Sequence, residues 1–159
     1  MKAAQWFAGV ALAGLAGVAA ALVSQYRFDI QPCPWCVLQR VIFIATALAC
    51  GLGLVWRSAL GRRIGAGLGL LLALSGAAAA LWQHFVAAAS ASCNLTLADK
   101  IVSRWLHLDT ALPSVFEARA SCADAAVNLL GVPYDIWSLA LFALMALALW
   151  RALRTAGRS

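Results

Sequence analysis

The stretch IGAGLGLLLALSGAAAALWQHFVAAASA, residues 64–91, decides the fold. It runs for 28 residues with His84 as its one ionisable side chain. A helix crosses the hydrocarbon core with about 20 apolar residues, so this run is long enough to span and tilt. Three more runs flank it: residues 6–23, 37–56 and 134–153. The first is uncharged, the last is uncharged over 136–150, and the second carries one charge, Arg40, near its start. Gly65, Gly69 and Gly76 space the third run as small residues do where membrane helices approach closely. The expected fold class is therefore all-α: an integral four-helix bundle in a single membrane domain over 1–159.

Composition agrees. The chain of 159 residues is 64% hydrophobic and 11% charged, with mean hydropathy +0.87. Soluble domains sit near 45–50% apolar and about 25% charged, so an ordinary soluble domain is excluded. Disorder is excluded for the same reason. Four spans consume about 80 residues, which leaves no room for a large soluble domain. Lys2, an apolar stretch and Ala19-Ala20-Ala21 share features with a cleavable signal peptide, but the apolar segment is long for one and is read as a span.

The net charge of +6 reads as orientation. With four spans, Lys2, Arg57, Arg62, Arg63, Arg151, Arg154 and Arg158 fall on one side with no acidic residue. The other side mixes five basic with six acidic residues. The positive-inside rule assigns both termini and the 57–63 loop to the cytoplasm. No aromatic residues interleave the basic runs as single-stranded nucleic acid requires, so no nucleic-acid partner is expected. The opposite side holds the outer segments 24–36 and 92–131. In the longer one Ile101, Trp105, Leu108 and Leu112 recur at helical spacing, which predicts a short helix on the membrane surface or packed over the helix ends.

Four of the five cysteines, Cys33, Cys36, Cys93 and Cys122, fall in or beside those outer segments. Cys50 lies within the second span and reads as a small buried residue. Thiols facing an oxidising compartment point to disulfides. Sequence order suggests Cys33 with Cys36 and Cys93 with Cys122. A bridge across two residues removes little chain entropy, so Cys33–Cys36 reads as redox chemistry rather than a staple. The alternatives are a non-enzymatic, disulfide-stapled scaffold and a four-thiolate zinc site, the latter disfavoured by the wide Cys93–Cys122 spacing.

The segment Gln31-Pro32-Cys33-Pro34-Trp35-Cys36-Val37-Leu38-Gln39-Arg40 carries the chemistry. The prolines start a helix, Cys36 stands in its first turn where the dipole favours an anion, and Arg40 follows one turn later on the same face. A thiolate is the reactive form, and a neighbouring cation favours it. Arg40 is also an intramembrane charge, hence a functional candidate, although a position this close to the surface also lets it snorkel to the headgroups. His84 is placed roughly level with Arg40. A pocket between spans two and three is expected to gather Cys36, Arg40 and His84, and it suits a membrane-soluble electron acceptor.

Four spans, the CxxCxxQR element at the head of span two and a second cysteine pair in the long outer loop resemble the disulfide-bond formation protein B (DsbB) family. The loop stretches Leu106-His107-Leu108-Asp109 and Leu112-Pro113-Ser114-Val115-Phe116, then Ser121-Cys122 and Trp137, extend the likeness over almost the whole chain. The resemblance implies a quinone-dependent protein-disulfide oxidoreductase of the bacterial inner membrane. Its quinone, ubiquinone or menaquinone, would take electrons from a periplasmic, thioredoxin-fold thiol oxidase of the DsbA type. By position, Cys93 would form the mixed disulfide with that partner and Cys122 would be its mate. Cys33 and Cys36 would be the membrane-edge pair, with Cys36 facing the quinone and Arg40 stabilising charge there. His84 would correspond to a quinone-proximal histidine, although it stands closer to Cys93 than the family pattern. Vitamin K epoxide reductase-like enzymes share a CxxC in a four-helix bundle, but theirs comes late in the chain.

Overall fold

A computed structural model describes residues 3–89 and 97–156. Four long helices dominate: α1 (Ala3–Phe28), α2 (Pro34–Val55), α3 (Ala59–Trp82), which continues as one widened π turn over Gln83–Ala87, and α7 (Tyr134–Ala156). Each is long and apolar enough to cross a membrane. Packing runs α1 to α2 to α3 to α7 and back to α1, the cyclic order of an all-α four-helix bundle. All four helices are apolar on every side, the pattern of a helix that faces lipid outward and packs inward. Leu12, Leu71 and Leu144 accordingly project from the bundle, while Phe7, Phe142, Met145 and Leu149 are fully enclosed.

Small residues set how closely the helices meet. A Cβ on Gly65 would stand 2.8 Å from the Gly53 Cα, so α2 and α3 touch backbone to backbone. A Cβ on Gly76 would run into the Phe142 ring, which itself stacks on Phe43 at 4.0 Å. Without a hydrophobic driving force between helices in lipid, this close fit supplies the association. At the end carrying both termini, Arg151 lies over the Trp6 ring at 5.8 Å and Arg154 over the Trp150 ring at 4.7 Å, cation–π pairs suited to the headgroup zone.

The segment after α3 folds back onto the other end of the bundle. It contains α4 (Leu97–Asp99) running into a π turn over Lys100–Trp105, α5 (Leu108–Ala111), α6 (Pro113–Phe116) and a hairpin of β1 (Asn128–Leu129) with β2 (Val132–Pro133). A helix does form here, but the periodic stripe to Leu112 is interrupted. His107 adopts a left-handed conformation at φ 50° and ends the first helix, and its carbonyl accepts from the Thr110 hydroxyl at 2.9 Å as the next one starts. The wide turn also rotates the register. Ala98 and Val102 become the buried face and pack toward α2, whereas Trp105 is 71% exposed.

Candidate active site

Pro34 is the first residue of α2. Its fixed φ suits a helix start and its missing N–H would have had no partner there. The residue before a proline is driven to extended backbone, and Cys33 sits at φ −85°, ψ 168°. From that cap position its Sγ accepts the Cys36 amide N–H at 3.3 Å and lies 2.9 Å from the Cys36 Sγ. Proline, cap and CxxC spacing thus bring the two sulfurs together on the first turn.

The third sulfur arrives from the loop. The Arg119 and Ala120 amides both donate to the Pro32 carbonyl, at 2.9 Å and 3.2 Å. That clamp delivers Cys122 beside Cys33, where it is buried and accepts hydrogen bonds from the Cys33 thiol and the Trp35 amide. These bonds pull the Cys122 thiol below its ordinary range, the Cys33 bond being the larger cause, against the opposing effect of burial. Cys33 is pushed far up, because its proton serves Cys122 first and Cys36 second and because it is wholly buried. The three sulfurs form a line in which Cys33 is the middle member, flanked by an anion-favoured sulfur on the loop side. Cys93, its expected mate in the sequence, lies outside the described residues.

Arg40 is buried at 4% exposure and does not snorkel. One terminal nitrogen donates to the Gln25 Oε1 at 2.9 Å and to the Val115 carbonyl at 2.7 Å, which ties α2 to α1 and to α6. Its Nε is buried without a hydrogen-bond partner. No carboxylate among the described residues forms an ion pair with it.

Cys36 and Arg40 both line a cavity of about 230 Å³. It lies between α1, α2 and α7, not between α2 and α3 as the sequence suggested, because Ala20, Ala21 and Ser24 of α1 leave room opposite Phe43 and Tyr134. His84 is not part of the wall; its neighbour Gln83 is. The imidazole Nδ1 instead meets Asp135 Oδ2 at 2.8 Å, and Asp135 is a wall residue. The half-exposed imidazole and the buried carboxylate therefore connect the cavity to the surface.

Three polar residues of the site escaped the sequence reading. Gln83 donates its amide to the Cys36 Sγ at 3.2 Å. Gln39 donates to the Gln83 Oε1 at 2.7 Å. Asp135 is the partner of His84. Gln39 was visible in the CxxCxxQR element and Gln83 beside His84, both polar positions in apolar runs. Cys50 sits fully buried in the bundle core, away from this cluster.

A family model described as disulfide bond formation protein DsbB matches residues 3–152. Among curated proteins, the chain is 36% identical over 143 residues to disulfide bond formation protein B of Herminiimonas arsenicoxydans, covering 88% of each chain. It is 35% identical over 146 residues to the protein of that name from Aromatoleum aromaticum, covering 86% of each. With the one from Cupriavidus metallidurans it shares 32% over 147 residues, covering 91% of this chain and 88% of the relative. No solved structure is a significant match. A match over residues 3–152, together with relatives above 30% identity along most of the chain, leaves one assignment: the chain belongs to the DsbB family, multi-pass membrane proteins of disulfide bond formation.

Proposed function

We propose that the protein reoxidises a soluble thiol oxidase of the thioredoxin fold and delivers the electrons to a membrane quinone. The observation that carries this reading is the sulfur line Cys122–Cys33–Cys36 ending at a cavity between the long apolar helices at their loop-covered end. The charge distribution supports cytoplasmic termini and a periplasmic sulfur cluster at the inner membrane of a bacterium.

The residues of the cavity fit a quinone ring. An apolar cavity of about 150 Å³ already accommodates benzene, and this one is about 230 Å³. Arg40 supplies a buried cation whose Nε has no hydrogen-bond partner among the described residues, suited to an electron-rich ring oxygen. When bound, the quinone supplies a two-electron sink strong enough to draw electrons from an oxidant near −120 mV.

The contacts among Cys122, Cys33 and Cys36 support an exchange that would begin at Cys93. The partner's thiolate attacks Cys93 of a Cys93–Cys122 disulfide, forms a mixed disulfide and releases Cys122 as thiolate. Cys122 attacks Cys33; a Cys33–Cys122 bond forms, the Cys33–Cys36 bond breaks, and Cys36 departs as thiolate beside the cavity. The partner's second thiolate then resolves the mixed disulfide and leaves oxidised, freeing Cys93. Cys93 attacks Cys122, which restores Cys93–Cys122 and leaves Cys33 and Cys36 reduced. Their two electrons pass onward from Cys36. Asp135 and His84 hold a proton between Oδ2 and Nδ1 at the cavity wall and can pass it from the surface.

Detergent-purified protein with added quinone and reduced oxidase tests this by the ultraviolet loss of quinone. Wild type should consume quinone continuously. Cys33→Ser, Cys36→Ser, Cys93→Ser and Cys122→Ser should each stop turnover; Cys93→Ser should prevent the mixed disulfide, whereas Cys33→Ser and Cys36→Ser should still form it. Continued turnover in any of the four would overturn the reading.

A further inference from the structure

Two buried glutamines from different helices meet beside Cys36, and one of them reaches its sulfur. Gln39 and Gln83 are each 3% exposed, in a bundle where a buried primary amide is costly unless its hydrogen bonds are made. Their bonds run one way. Gln39 Nε2 donates to Gln83 Oε1 at 2.7 Å, and Gln83 Nε2 donates to Cys36 Sγ at 3.2 Å. Because its oxygen is occupied by Gln39, Gln83 presents its N–H to the sulfur. The widened turn starting at Gln83 is the local device that swings this side chain inward from the end of α3, and such π turns recur at functional sites.

We propose that the Gln39–Gln83 amide relay is a positioning element that fixes the direction of exchange within the sulfur line. A donor to sulfur stabilises a thiolate and does nothing for a bridged sulfur. When Cys122 attacks, the electron pair of the Cys33–Cys36 bond must go to whichever sulfur is not attacked. Gln83 favours its arrival on Cys36, so attack falls on Cys33 and the charge ends at the cavity. No proton moves in this step and no further oxidant is required. Gln39 acts at one remove, by holding the Gln83 amide in the donating orientation. The inference rests on the reading of Cys36 as the departing sulfur, but its test uses neither quinone nor partner.

The experiment is iodoacetamide labelling of the fully reduced, quinone-free full chain in detergent at neutral pH, with rates read for Cys36 and Cys122 separately by peptide mass. Gln83→Met keeps the length of the side chain and removes its donors. It should slow labelling of Cys36 about tenfold, the loss of one charge-assisted hydrogen bond, and leave Cys122 unchanged. Gln39→Met, which leaves the Gln83 donor in place but unbraced, should slow Cys36 about threefold. Unchanged Cys36 labelling in Gln83→Met would overturn the proposal. So would an equal fall at Cys36 and Cys122, which marks a disturbed fold rather than a lost donor. Should Gln83→Met fail to fold, Gln39→Met decides in the same way: a selective fall at Cys36 upholds the relay and an unchanged rate refutes it.

Discussion

The hydrogen bond between Cys33 and Cys122 is the largest cause of the difference in their acidity. Cys33 donates and is held up; Cys122 accepts, is held down, and keeps its thiolate as pH falls below the ordinary thiol range. In reduced protein at neutral pH, Cys122 should therefore alkylate at least about tenfold faster than Cys33, a difference that peptide-resolved labelling reads directly. Arg40 makes the second prediction. Arg40→Ala removes a buried cation with an unpartnered Nε, so it should raise the apparent KM for quinone about tenfold while mixed-disulfide formation stays intact. An unchanged KM would take Arg40 out of the site. At this scale the CxxCxxQR element made Cys33, Cys36 and Arg40 legible, because cap, helix dipole and one-turn spacing are local. The roles of Gln83 and Asp135 were not legible, since each gains its meaning from a partner on another helix.

Helices α2 and α3 show what apolar runs reveal and what they hide. The four spans followed from length and hydropathy alone. The glycines marked close contact, and Gly65 meets the Gly53 backbone. Gly65→Leu should therefore destabilise the bundle by about 1–3 kcal/mol through overpacking, seen as a lower denaturation midpoint in mixed micelles. The outer loop was less readable. Its helix starts as the apolar spacing suggests, but a left-handed His107 and a π turn shift the buried face to Ala98 and Val102. Neither feature has a strong single-sequence signal. The hairpin behind it turns through Leu130 at φ 55° and Gly131 at φ 81°, and the Trp137 indole N–H donates to the Leu129 carbonyl at 3.1 Å. Leucine is a poor resident of that region, so Leu130→Gly should relieve about 1 kcal/mol of strain. Slower amide exchange at Val132 would register the gain.

Across the whole molecule, the bundle holds one end of its helices open to small residues and caps it with a loop that carries a cysteine. The sulfur cluster and the cavity share a single residue, Cys36. A loop clamped on Pro32 and a cavity walled by α1, α2 and α7 are consequences of the bundle order. That order was not readable from four similar apolar runs, and this is why the pocket was expected on the wrong side of α2. The most direct test of the sulfur line is disulfide mapping of the wild-type chain, free of quinone, after addition of a reduced thiol oxidase whose second cysteine is replaced by serine. The partner then stays on Cys93, the released Cys122 attacks Cys33 and Cys36 leaves as thiolate, so a Cys33–Cys122 peptide and an alkylated Cys36 should be recovered under non-reducing conditions. Recovery of Cys122 as a free thiol, with Cys33 still bridged to Cys36, would contradict the path.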